Sequence, residues 1–197
     1  MLRHPAKVAL KYSQTFRVFV RSLNKDFFTE PIYGEDYEKH WGFLNVKNKE
    51  VIDFGSDYGS TVWYFLKKGA TKVVAVEGSF WLYLALKRNF GKNNKVICIR
   101  KFIRTPQDFE KIITKYPCDV AKIDIEGAEK YLGNVSRHII MAINEWMIEV
   151  HSNEEYKKLK AIFQRIGFST EKKIFNTIVI MIARKLIKKT SFHVNLL

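Results

Sequence analysis

From residue 50 onward the chain alternates short apolar runs with amphipathic segments at helical spacing, and few architectures accept that order. EVIDF, KVVAVE, KVICI, VAKIDI and WMIEVH read as strands, and helical patterns over 60–68, 80–90, 107–116, from about 127, and from Glu154 to about Ile166 separate or follow them. Strands joined through helices pair in parallel. Two further strand-like runs, EKKIF and NTIVIMIA, meet at Asn176 and read as an antiparallel hairpin at one edge. The expectation is an α/β fold: a doubly wound sheet of about seven strands, mostly parallel, with an antiparallel edge hairpin and an N-terminal helix.

That helix is expected within residues 6–27, where Phe16, Phe19, Val20, Leu23 and Phe27 share a face beside a row of Arg17, Arg21 and Lys25. Residues 1–44 then form a helical extension and loop, 45–184 the α/β domain, and 185–197 a basic tail. A chain of 197 residues buries one good core and is too short for two ordinary domains.

A net charge of +14 exceeds what solubility asks for and fits a polyanionic partner, an acidic surface or a phosphorylated substrate. Cys98 and Cys118 lie in apolar surroundings without ligand spacing, which reads as buried thiols in a reducing compartment. Lys7, Lys11 and Arg17 break the apolar runs a signal peptide needs, and the longest apolar run, IVIMIA at 178–183, is far short of a membrane span. An intracellular, cytoplasmic protein is expected.

Ligands of open parallel sheets bind beyond the carboxyl ends of the strands, where the strand order reverses. There the first strand runs into VIDFGSDYGSTVWYF, with Asp53, Gly55 and Gly59 in the turn and helical spacing after it. The spacing D-x-G-x-x-x-G matches neither G-x-G-x-x-G nor a P-loop, so a pyrophosphate is a poor fit. At the end of the second strand stands Glu77, a carboxylate able to accept both hydroxyls of a ribose. The pair points to a nucleoside-like ligand without a phosphate cradle.

This turn and acid resemble the class I S-adenosylmethionine-dependent methyltransferases, whose first motif is an acid-x-Gly-x-Gly-x-Gly turn followed by an acid at the second strand's end. Asp57 takes the place of the middle glycine, as in the FkbM-like branch, whose turn carries a polar residue there. AKIDIEGAEKYL, WMIEVHS and IGF resemble further hallmarks of that branch, over about residues 45–170. The resemblance implies a Rossmann-like fold and S-adenosylmethionine as cofactor. It implies that Asp53, Gly55, Ser56, Asp57 and Gly59 line the methionine end, that Glu77 holds the ribose, and that adenine lies near Gly78 and the third strand's end.

With the strand order usual for that fold, the first, fourth and fifth strands are neighbours, so Asp53, Asp124 and the Glu149 to His151 end converge. Methyl transfer to a hydroxyl needs an aligned oxygen and a base, and His151 has a suitable pKa of roughly 6.5. Asp124 or Glu126 can orient it, bind the acceptor hydroxyl or hold a divalent cation. Asp124 equally suits the cofactor's amino group, and Glu126 a helix cap. The expected reaction is O-methylation of a sugar-containing or other small molecule, the acceptor end formed by His151, Asp124 and Glu126 and by a glycan or small-molecule pocket around Tyr33, Tyr37, His40 and Trp41.

Amine-directed nucleic-acid methyltransferases carry Asn/Asp-Pro-Pro-aromatic after the fourth strand, where this chain has DIEG. Ribose 2'-O-methyltransferases use a lysine at the fifth strand's end, where Glu149 and His151 stand. An RNA acceptor is nevertheless the second reading, because the surface is basic. A third is a non-catalytic module that grips a polyanion through the N-terminal row and Lys185, Lys188 and Lys189.

Overall fold

The structure is a computed structural model that describes residues 36–176 and 178–186. The expected amphipathic helix at 6–27, Tyr33 and most of the basic tail lie outside the described residues. A short helix α1 (Tyr37–Trp41), capped by the Asp36 carboxylate on Lys39 N, leads into β1 (Glu50–Phe54). Then follow α2 (Ser60–Lys67), β2 (Lys72–Glu77), α3 (Phe80–Phe90), β3 (Val96–Arg100), α4 (Pro106–Lys115) and β4 (Val120–Ile123). The second half holds a 3-10 turn (Glu129–Asn134), α5 (Arg137–Ala142), β5 (Glu145–Val150), α6 (Asn153–Ile166), β6 (Phe168–Phe175) and β7 (Ile178–Lys185).

The seven strands lie in the order β3-β2-β1-β4-β5-β7-β6. β1 to β5 are parallel, β7 runs antiparallel to β5, and among the described residues β6 pairs only with β7. The strand order reverses between β1 and β4, and the carboxyl ends of both define one rim. Asn176 takes the left-handed conformation (φ 53°) at the hairpin turn, a conformation asparagine tolerates well.

Side chains alternate along each strand, so the sheet buries two faces. Ile52, Phe54, Val74, Val76, Ile123, Trp146 and Ile148 face α4, α5 and α6 with Phe109, Ile140, Leu159 and Phe163. Val51, Val73, Ala75, Val120 and Met147 face α1, α2 and α3 with Trp41, Val62, Phe65 and Leu86. Helices on both faces explain why the strands read as continuous apolar runs.

One element differs from expectation. The helix expected from about residue 127 is a 3-10 turn followed by the short α5, with extended residues between them. Glu126 (φ 22°) and Gly127 (φ 82°) reverse the chain before the turn. Ser136 then breaks helical continuation by giving its N–H and its hydroxyl to Glu110 Oε1, at 2.8 and 2.7 Å.

Trp146 anchors the larger face: it is buried, meets Phe163 edge to face at 5.8 Å between ring centres, and donates Nε1–H to Ile140 O. Trp146→Ala is expected to cost about 3–5 kcal/mol by chemical denaturation, with the strand order retained.

Candidate functional site

The turn leaving β1 uses three left-handed residues, Gly55 (φ 85°), Asp57 (φ 51°) and Gly59 (φ 100°). Two amides of the turn, Gly55 N–H and Ser56 N–H, donate to Val76 O of β2 at 2.9 and 3.1 Å, and the buried Ser56 hydroxyl donates to Asp53 O at 2.7 Å. A Cβ on Gly55 would overlap the carbonyl of Asp124, so the passage of β1 beside the β4 tip itself demands glycine there. At Gly59 a Cβ would overlap the Phe90 ring of α3, which is why α2 starts on a glycine.

Beneath this turn lies Lys122 of β4, with a side chain only 1% exposed. Its ammonium donates to Gly55 O at 2.7 Å, stands 3.1 Å from Asp53 Oδ1 and 3.4 Å from Asp124 Oδ2, and lies over the Trp41 ring. Asp53 is buried and accepts the Thr61 hydroxyl at 2.5 Å. Burial pushes its pKa up, against the opposing pull of Lys122 and Thr61. Asp53 therefore faces the protein interior, where it is the counterion of Lys122. Trp41 lies under that ammonium, His40 packs on Phe175, and the Tyr37 hydroxyl is 3.3 Å from that of Tyr58.

Glu77 ends β2. Its two carboxylate oxygens accept Asp57 N–H at 2.9 Å and Ser79 N–H at 2.6 Å. Burial raises its pKa to about 6 in spite of these amides and the nearby Lys122. Each oxygen has a further lone pair, so the pinned carboxylate can accept a pair of hydroxyls. Those features suit a ligand that carries two neighbouring hydroxyls. Next to it, a Cβ on Gly78 would come within 2.8 Å of the Phe102 ring, so glycine lets the chain after β3 close against β2.

His151 follows β5, its side chain 34% exposed. Nδ1 is 2.7 Å from Oε1 of the fully buried Glu129, and Nε2 is 3.7 Å from Glu149 Oε1. A carboxylate accepts, which places the ring hydrogen on Nδ1 and leaves Nε2 to take a proton. Partial burial alone would lower the imidazole pKa, but the hydrogen bond to Glu129 and the charges of Glu129, Glu149 and Glu126 outweigh it and raise the pKa. Glu155 of α6 lies behind the pair, its pKa raised by burial and by Glu129.

The three expected acceptor-end residues thus have separate partners. Asp124, partly exposed, leans on Lys122; Glu126 is exposed in its left-handed turn and acts on His151 through charge; His151 is hydrogen-bonded to Glu129. Lys122 and Glu129 were given no role from sequence. The one available signal was a lysine inside the otherwise apolar VAKI, two residues before Asp124 and so on the same face. Among the described residues no group of three or more His, Cys, Asp or Glu is placed to hold a metal ion, and no helix is long and apolar enough to cross a membrane.

No family model matches the chain. Over 119 residues it is 30% identical to uncharacterized protein 158B of Sulfolobus islandicus rod-shaped virus 1, a match covering 58% of this chain and 72% of the viral protein. The chain belongs to the family of that viral protein. It is also 28% identical over 145 residues to ribosomal RNA small subunit methyltransferase A of Pelagibacter ubique (strain HTCC1062), covering 74% of this chain and 49% of that protein. The chain spans about half the length of this second relative. Precorrin-6y C5,15-methyltransferase from Geobacter metallireducens GS-15 superposes with a TM-score of 0.60 at 13% identity, over 82% of this chain and 96% of that one. Aeropyrum pernix fibrillarin, in complex with natively bound S-adenosyl-L-methionine, superposes at 0.56 and 13% identity, over 71% and 68%. The fold is that of the class I S-adenosylmethionine-dependent methyltransferases.

Lys122→Met strands the Asp53 carboxylate in the interior and is expected to cost about 3–5 kcal/mol in urea denaturation. Adding Asp53→Asn removes the stranded charge, so the double variant should be clearly more stable than the sum of the single losses allows. Strict additivity would show that the two side chains are not energetically paired.

Proposed function

We propose that this chain is an S-adenosylmethionine-dependent methyltransferase that acts on a hydroxyl of a sugar-containing acceptor. The observation that carries the reading is the His151–Glu129 pair on the same sheet rim as the β1 turn and Glu77. The cofactor would be held by the turn of Gly55, Ser56, Asp57 and Gly59, which Asp53 steadies from inside through Lys122, by Glu77 at the ribose, and beside Gly78 at the adenine. Bound S-adenosylmethionine would supply an electrophilic methyl group on a positively charged sulfur, with the neutral thioether as leaving group.

His151 Nε2 takes the hydroxyl proton as the oxygen becomes a nucleophile. Glu129 fixes the tautomer and, with Glu149, stabilises the imidazolium. Asp124, whose carboxylate stands 3.4 Å from the Lys122 ammonium, would hold the acceptor hydroxyl or the cofactor's amino group. The FkbM-like stretch AKIDIEGAEKYL supports the reading, because it furnishes Lys122, Asp124, Glu126 and Glu129 together. The same base serves a small-molecule sugar, a glycan or the ribose of RNA. RNA is favoured by the relative named for ribosomal RNA and by the +14 charge.

Two measurements test this. Affinity for S-adenosylhomocysteine should fall as pH drops through about 6, since protonated Glu77 no longer accepts from both ribose hydroxyls. Glu77→Gln should weaken binding by roughly 1.5–3 kcal/mol and abolish that pH dependence; unchanged affinity in calorimetry would remove Glu77 from the cofactor site.

His151→Ala should lower turnover about 10²- to 10⁴-fold with little change in cofactor affinity. The wild-type rate should rise with pH through a midpoint above the ordinary histidine value of roughly 6.5. Glu129→Gln should move that midpoint down, because it removes the charge that holds the imidazole pKa up. A midpoint unmoved by Glu129→Gln, or activity abolished by a chelator, would take the base role from this pair.

A further inference from the structure

Two arginine–aromatic stacks stand at the carboxyl ends of β2 and β3, on the same rim as the proposed site. Phe80, the first residue of α3, is 45% exposed, and Phe102, just after β3, is 59% exposed. The Arg100 guanidinium lies 4.9 Å from the Phe80 ring centre, and that of Arg104 lies 5.1 Å from the Phe102 ring centre. Trp81 meets Phe80 edge to face, and Lys101 adds a third cation at the same strand end.

These aromatics are large, apolar and exposed, and core packing does not require that exposure. The acids nearby are engaged: Asp108 pairs with Lys101 at 2.7 Å, and Glu77, opposite Arg100 in the β2–β3 register, is buried against two backbone amides. The outward charge of the patch is therefore positive. Flat rings interleaved with guanidinium groups match a chain that alternates flat bases with phosphates.

We propose that this patch is a docking platform for single-stranded RNA, with unpaired bases stacked on Phe80 and Phe102 and phosphates on Arg100 and Arg104. The inference rests on the reading of His151 as base for a sugar hydroxyl, and that reading selects RNA over DNA, since only RNA carries a 2'-hydroxyl at each sugar. The β3 and β5 tips are separated by four inter-strand steps, or about 19 Å at the usual spacing. A strand laid along the rim from the patch therefore reaches His151 within a few nucleotides.

The test uses the full chain and a short, unstructured, fluorescently labelled oligoribonucleotide, with S-adenosylhomocysteine affinity measured separately by calorimetry. The wild type should bind the RNA in a salt-dependent manner. Phe80→Ala and Phe102→Ala should each weaken RNA binding about tenfold. Arg100→Ala and Arg104→Ala should each reduce the salt dependence by roughly one phosphate's worth. Phe80→Ala, Arg100→Ala and Arg104→Ala should keep wild-type affinity for S-adenosylhomocysteine, whereas Phe102 packs against Gly78 beside the proposed adenine position and is read through RNA binding alone.

Unchanged RNA affinity across the four variants would overturn the proposal. So would a loss of S-adenosylhomocysteine affinity with RNA binding intact, which would assign the rings to the cofactor. RNA binding that depends on the patch in a chain that binds no S-adenosylhomocysteine would leave the platform standing and remove the methyltransferase reading instead. Labelled methyl transfer to the oligoribonucleotide and not to its 2'-deoxy counterpart would join the two.

Discussion

The rim of this sheet is organised around a buried ammonium. Lys122 sits where β1 and β4 run side by side, and it is the shared partner of the Gly55 carbonyl, the Asp53 carboxylate and the Asp124 carboxylate. Leaving such a charge unpaired in the interior costs several kcal/mol, so the three oxygens and the face of Trp41 must stay where they are. Fixing Gly55 fixes the turn, and the turn's amide at Asp57 in turn pins Glu77. The turn proposed for the cofactor and Asp124, proposed for the acceptor, are thus joined through one cation that is shielded from solvent.

Much of the fold was legible because period and length left little choice. The helix over 80–90 and the strand KVVAVE lie where the pattern put them, and the left-handed Asn176 turns the hairpin. The 3-10 turn was not legible, since its interruption depends on Glu110 of α4 reaching Ser136 across the fold. Pattern reports which face a residue occupies; it says nothing of a partner on another element.

The same limit governs the site. Of the proposed site, Glu77, Gly55 and His151 stand out in the sequence because chemistry and position at strand ends coincide in them. Glu129 and Lys122 were passed over because their importance comes from burial beside a partner distant in sequence. Glu129 is fully buried under an imidazole from β5, and Lys122 is buried under a turn from β1. Asp53 illustrates the converse: a motif acid at a strand tip, which in the folded chain serves a neighbouring lysine.

The edge hairpin has a consequence for how this sheet is completed. β7 is the later of the two hairpin strands, yet it lies inside, between β5 and β6. As the polypeptide leaves the ribosome, β5 is finished first and offers an open row of amides and carbonyls until Ile178–Lys185 emerges to cover it. The hydrophobic interior on both sides of β5 is therefore sealed by some of the last described residues to be translated. A nascent chain stalled before residue 178 would hold the parallel layer with its sticky flank exposed, a state that invites capture by chaperones or by another copy.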